Sequence, residues 1–266
     1  MPDQQMPAPL RSALDAGDPI LFVSPHLDDA VLSCGALLEV AARHCPVIVA
    51  TIFTTAGPPP HTHAARGFMR ACGSDDAASL YSARRREDAD VLAQLAVQPV
   101  HLGFADALFR RRRRGGPMRE RLGRVVPELA HRYPTYHFDI ARGRLAHGDR
   151  PLIRDVLAAI RATARRAGAK LLFCPLGVGR HVDHLIGRLA GTQFREHAVY
   201  YSDFPYDLVA PVDTRFVSAH ALTPWRLSTG VAAKGRLISG YRSQVAGLFH
   251  GGVIPAVPEV YYCPRP

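Results

Sequence analysis

Two short stretches of this 266-residue chain hold the side chains best suited to chemistry. The first is "SPHLDDAVLSCG", with His26, Asp28 and Asp29; the second is "RHVDH", with His181, Asp183 and His184. His26 and Asp29 stand three residues apart, and so do His181 and His184. At the start of a helix that spacing can aim both members of a pair into one cleft. Imidazole nitrogen and carboxylate oxygen suit zinc and other divalent first-row metals. Two histidines and one carboxylate around such an ion leave a position for water, whose pKa then falls to about 7. Two adjacent aspartates repel each other, and a nearby cation would compensate them.

Each motif has a plainer explanation when taken alone. A histidine pair three apart is usually a surface feature, and adjacent aspartates usually cap a helix. Their joint occurrence at two strand–helix junctions is what points to a site. Asp183 either orients an imidazole such as His181 or caps the helix that begins there, and the sequence leaves both open.

The elements around the motifs determine whether the two can meet. Apolar runs at residues 19–24, 46–53, 99–104 and 169–177 predict buried strands of a parallel sheet. Helical spacing follows each of the two motifs and recurs over residues 79–95 and 150–166. "AVYYSDFPYD" predicts a further strand with its loop, "TRFVSAHAL" another strand, and "STGVAAKGRLISGYRSQVAGLF" one helix. Residues 56–76 read as a long loop, and residues 106–147 as short helices and exposed loops. The alternation predicts an α/β, Rossmann-like layered fold, with a mainly parallel sheet flanked by helices. We expect a single domain over residues 19–266 behind an N-terminal extension of residues 1–18. Ligands of such sheets bind beyond the carboxyl ends of the strands, which places both motifs on the same side. The turn after the first strand lacks GxGxxG, which argues against a dinucleotide site.

Composition narrows the class. Hydrophobic residues make up 47% and charged residues 21%, as in ordinary globular proteins. No apolar run reaches the roughly 18 residues of a membrane span, and no signal-peptide pattern opens the chain. Five scattered cysteines without a CxxC pair predict reduced thiols and a cytoplasmic location. The net charge is +10, and all but Lys170 and Lys234 of the 33 basic residues are arginine. Five of these form the run Arg110 to Arg114, expected either as a solvated, mobile loop or as a patch for an anionic partner. No aromatic residues interleave with the run, so nucleic acid is not an expected partner.

At this point the residues resemble a known family. "SPHLDDAVLSCGALL" is similar to the opening motif of the PIG-L (LmbE-like) zinc-dependent deacetylases, and "RHVDH" to their H-x-D-H signature. "RRREDADVLAQLAVQPVHLGFAD", "YYSDFPYD" and "KGRLISGYRSQ" resemble further family segments. The resemblance implies a zinc-dependent hydrolase, with Fe2+ as another possible metal, that removes an N-acetyl group from a small amino-sugar conjugate. It implies that His26, Asp29 and His184 hold the metal and that Asp28 is the general base. His181 would stabilise the oxyanion or act as an acid, and Arg84 and Asp106 would bind substrate. Arg85 and Arg86 compete with Arg84 for its role, and a long insertion follows Asp106. Leu27 stands where many members have proline, which gives up rigidity in the turn but removes no ligand. With no membrane anchor in view, a soluble glycoconjugate or secondary-metabolite intermediate fits better than a lipid-linked substrate.

Two other functions share some of these features. His26-Leu27-Asp28 with a distant histidine also spells the facial triad of non-haem iron oxygenases, but those are generally β-rich. A non-catalytic anion-binding module would use the arginines, and would not need the full ligand set.

Overall fold

The first strand, β1 (Ile20–Ser24), is apolar on both sides. Ile20 and Phe22 join one buried cluster, while Leu21 and Val23 join another. A strand of that kind needs helices on both faces of its sheet, and the computed structural model shows them. It describes residues 6–112, 117–194 and 197–265. With β1 run β2 (Val47–Thr55), β3 (Gln98–Ala105), β4 (Leu171–Pro175), β5 (Ala198–Tyr201), β6 (Leu222–Leu227) and β7 (Glu259–Pro264). They form one seven-stranded sheet in the order β3-β2-β1-β4-β5-β7-β6. β1 to β5 are parallel, and β7 runs antiparallel to both β5 and β6.

One face of the sheet is covered by α1 (Ala8–Ala16), α2 (Asp29–Ala41), the end of α4 (Ala77–Ala93) and α9 (Val231–Ile238). The other is covered by α6 (Arg150–Ala167) and α7 (Val182–Phe194). A third apolar cluster joins α3 (His63–Ala71) and α4 to the segment after β3, through Met69, Tyr81, Phe109 and Tyr133. Leu27 and Val182, which sit among the reactive residues, are fully buried in that third cluster. Burying a leucine side chain contributes about 1.5–3 kcal/mol, so Leu27 anchors its turn by packing where proline would have done so by stiffness.

Strand order reverses between β1 and β4, which are paired neighbours. This is the switch point at which doubly wound sheets open a crevice. The loop after β1 and the loop after β4 both end there, as expected from the motifs.

Several local expectations are corrected. Residues 8–16 of the expected N-terminal extension form α1, whose Leu10, Ala13 and Leu14 are buried in the first cluster. The expected loop at 56–76 contains α3, whose start is capped by Thr62 accepting from Ala65 N at 3.1 Å. "TRFVSAHAL" opens with the helix α8 (Thr214–Ala219), not a strand, because Asp213 caps it by accepting from Phe216 N. The strand, β6, begins only at Leu222. The expected single helix near the end is two, α9 and α10 (Arg242–Leu248). The break falls at Gly240, where a Cβ would lie 2.4 Å from Val91 Cγ2.

Candidate active site

Ser24, the last residue of β1, organises the turn that follows. Its Oγ donates to the His26 carbonyl at 2.7 Å and accepts from Ala30 N at 3.0 Å. Asp29 Oδ2 accepts from His26 N at 2.8 Å. These short-range bonds present His26, Asp28 and Asp29 together at the start of α2. After β4 the chain turns through Gly177 and Gly179, with φ of 81° and 78°, conformations that favour glycine. A Cβ on Gly179 would also press to 3.0 Å from the Tyr206 ring. α7 then delivers Asp183 and His184.

Three ligand-type atoms converge. Asp29 Oδ2 lies 3.0 Å from His26 Nδ1 and 3.4 Å from His184 Nε2. Each imidazole is held from behind by a carboxylate: His26 Nε2 meets Asp183 Oδ2 at 3.2 Å, and His184 Nδ1 meets Asp203 Oδ1 at 2.7 Å. In the neutral tautomer whose rear nitrogen donates, each forward nitrogen presents a lone pair. His184 Nε2 is buried and has no hydrogen-bond partner, an arrangement that is costly unless something else satisfies it.

The donor set fits a divalent metal. Ligands about 2.0–2.1 Å from zinc stand roughly 3.3–3.4 Å apart at tetrahedral angles, close to the separations found here. His26, Asp29 and His184 all offer atoms within 4.8 Å of one another. So do His26, His181 and Asp183, but Asp183 is already committed. Besides His26 it accepts from Ala107 N at 2.9 Å and pairs with the Arg110 guanidinium. The first set is therefore the one whose carboxylate is not tied to a guanidinium.

Electrostatics reflect a surplus of carboxylates. Burial opposes a charge on His26, yet hydrogen bonds with Asp183 and Asp29 lift it well above the usual histidine range. His184 is raised too, with burial opposing and Asp29 and Asp203 prevailing. Asp28 is pushed up to about 6 by burial, Arg84 opposing and Asp29 adding. Its Oδ2 lies 3.5 Å from Arg84 Nη2. His181 is depressed well below the usual range by burial and by the neighbouring His26. Its Nδ1 accepts from Asp183 N at 3.2 Å, which leaves Nε2 as its donor.

A cavity of about 210 Å³ opens onto this cluster. It is lined by His26, Asp28, Asp29 and His181, and also by Arg84 and Asp106. Arg84 is the arginine that faces inward: Arg85 bonds the Thr54 carbonyl at 2.7 Å, and Arg86 bonds Ser82 on its own helix. Asp106 accepts from the Tyr81 hydroxyl at 2.6 Å and caps the turn after β3 through Leu108 N. Asp183 neither bonds the His181 ring with its carboxylate nor caps α7 with it. The carboxylate serves His26, because the segment after β3 supplies Ala107 N and Arg110 on its other side.

Sequence reasoning missed Asp203, Tyr136, Tyr206 and Gln244. The last three line the cavity, and Asp203 holds His184 while accepting from Gly177 N and Val178 N at 2.7 and 2.8 Å. Asp203 had a signal: an acid two residues beyond a buried strand, at the sheet edge that carries the motifs. The arginine run is also corrected at its first member. Arg110 is 5% exposed and ion-paired, so its side chain is not solvated. Arg111 bridges to His131, while Arg113 and Arg114 lie outside the described residues. Among the described residues, no helix is long and apolar enough to cross a membrane.

Comparisons with known proteins place this geometry. The 2'-N-acetylparomamine deacetylase of Streptomyces fradiae is 30% identical over 203 residues, which span 74% of this chain and 60% of that relative. A deacetylase of the teicoplanin biosynthesis pathway has the same fold, with a TM-score of 0.71 at 24% identity over 92% of this chain and 96% of that one. The zinc-inhibited form of the teicoplanin deacetylase Orf2 gives the same TM-score at 23% identity, over 92% and 97% of the two chains. Residues 21–194 match the family model for PIG-L, the GlcNAc-PI de-N-acetylases. That span carries the loops of His26 and His184 as well as Arg84 and Asp106, and the chain belongs to the PIG-L family.

Proposed function

We propose that the chain is a zinc-dependent N-deacetylase of small amino-sugar conjugates. The observation that carries this is the buried, unpartnered His184 Nε2, 3.4 Å from Asp29 Oδ2, with His26 completing the set and Asp28 beside it. His26, Asp29 and His184 would hold the metal, which supplies a water acidic enough to lose its proton near neutrality. Asp28, partly restrained by Arg84, accepts that proton as the water attacks the amide carbonyl, then returns it to the departing nitrogen. His181, with Nδ1 occupied by Asp183 N, donates from Nε2 toward the carbonyl oxygen as it gains charge. Such a donor contributes about 3–4 kcal/mol to the transition state. Arg84 and Asp106 line the cavity and offer a cation and a carboxylate for the hydroxyls of a sugar. The products are acetate and a free amine.

The family of GlcNAc-PI de-N-acetylases and the similar 2'-N-acetylparomamine deacetylase support the substrate class. The five cysteines are unpaired, in keeping with the cytoplasm as the place of action. The test is to load the protein with zinc, incubate it with a panel of N-acetylglucosamine and N-acetylated pseudodisaccharide conjugates, and assay acetate and amine. Asp28→Asn should retain zinc and lose about 10²–10⁴-fold in turnover. Turnover by this variant equal to the parent's would sink the mechanism, and no acetate from any conjugate would sink the substrate class.

A further inference from the structure

The mechanism above leaves the buried cation of Arg110 unused. We infer that Arg110, the first arginine of the run, is a positioning residue for the metal ligand His26, acting through Asp183. This rests on His26 being a ligand in the proposed enzyme.

The connection is a continuous relay of charged contacts. His26 Nε2 meets Asp183 Oδ2 at 3.2 Å, and Asp183 Oδ1 pairs with Arg110 Nη2. Asp183 is 0% exposed and Arg110 is 5% exposed, so the pair is shielded from bulk solvent. The guanidinium lies 5.0 Å from the Phe53 ring centroid and 5.2 Å from that of Tyr133, and Asp149 stands 3.9 Å from its Nη1. Its backbone is fixed as well: the Arg110 carbonyl accepts from Arg132 N at 2.8 Å, and Arg112 N donates to the Ala130 carbonyl at 2.9 Å.

Orientation is what this arrangement supplies. A carboxylate held at Oδ1 by a guanidinium and at Oδ2 by the Ala107 amide cannot turn. Its remaining lone-pair direction faces His26 Nε2, which keeps that nitrogen the donor and leaves Nδ1 toward the site. Without Arg110, Asp183 has one fixed donor and is free to swing toward another. Lysine would keep the charge but lose the planar guanidinium that lies against the Phe53 and Tyr133 rings.

The experiment compares zinc affinity in metal-stripped protein by competition with a chromophoric chelator. The parent, Arg110→Met, Arg110→Lys, Asp183→Asn and the double variant Arg110→Met/Asp183→Asn are measured alongside kcat and KM. Arg110→Met should weaken zinc binding about 10–100-fold, as loss of an orienting partner does. KM should stay within about two-fold while kcat falls. Arg110→Lys should show a smaller loss in the same direction, and it carries the test should Arg110→Met fail to fold. The double variant should bind zinc no more weakly than the worse single variant. Zinc affinity equal to the parent's in a folded Arg110 variant, with only the melting temperature lowered, would show a purely structural ion pair and overturn the inference. Additive losses in the double variant would overturn the route through Asp183. A parent that binds no zinc would instead bring down the proposed function itself.

Discussion

His26 and His184, the two proposed imidazole ligands, are braced differently. His184 leans on Asp203, whose charge is met by the backbone amides of Gly177 and Val178. His26 leans on Asp183, whose charge is met by one amide and the Arg110 guanidinium. The two carboxylates respond in opposite directions. Burial raises Asp203 above the usual carboxylate range, with His184 only partly offsetting it. Burial acts on Asp183 too, but Arg110 and His26 hold it below that range. Amides of a tight turn therefore suffice where the brace comes from the same side of the sheet, β4 and β5. Where the brace must be tied to a distant insertion after β3, the chain spends a full buried charge.

That contrast can be tested from its largest consequence downward. Replacing either imidazole, His26→Ala or His184→Ala, should weaken zinc binding by more than the roughly 100-fold ceiling for a supporting carboxylate. Equal retention of zinc by either variant, in dialysis against chelator, would remove that residue from the ligand set. Next come the braces. Asp183→Asn strands a buried guanidinium and should cost about 3–5 kcal/mol of stability in denaturant titrations of metal-free protein. Asp203→Asn strands only amides and should cost about 1–3 kcal/mol. A reversed order would mean that Arg110 finds enough compensation in Asp149. The smallest effect belongs to the neighbouring arginines of α4. Arg85→Gln should lose about 0.5–1.5 kcal/mol of stability, for its bond to the Thr54 carbonyl, and leave kcat/KM alone. Arg84→Gln should lower kcat/KM by removing the cation beside Asp28, which steady-state kinetics would read directly.

The same contrast explains what could be read before the structure. The β4–β5 side obeys periodicity: continuous apolar runs, glycines at a turn, a histidine pair at a helix start. That the loops of His26, Asp29 and His184 would meet was legible because strand ends in a parallel sheet bring them together. The β3 side obeys no period. Arg110 sits in a run of identical residues, and nothing local distinguishes the one that turns inward. Its burial depends on Tyr133 and Asp149, which reach it from later in the chain. For the same reason α3 hid among prolines and glycines, its apolar face defined only by Tyr81 and Phe109 opposite. β7 escaped notice because its pattern alternates over a short segment and its partners lie at the far edge of the sheet.

α2 carries one further feature of weight. Its backbone departs from helical geometry at Cys34, with φ −132° and ψ 15°. Immediately beyond, Ala36 N and Leu37 N donate to the buried Glu259 carboxylate at 2.7 and 3.1 Å. Glu259 belongs to β7, far along the chain from α2. The helix whose first turn presents Asp28 and Asp29 is thus completed by a residue translated more than two hundred positions later. A nascent chain can hold every ion-binding group and still lack the fold that aligns them, so maturation of the centre waits on the docking of that strand.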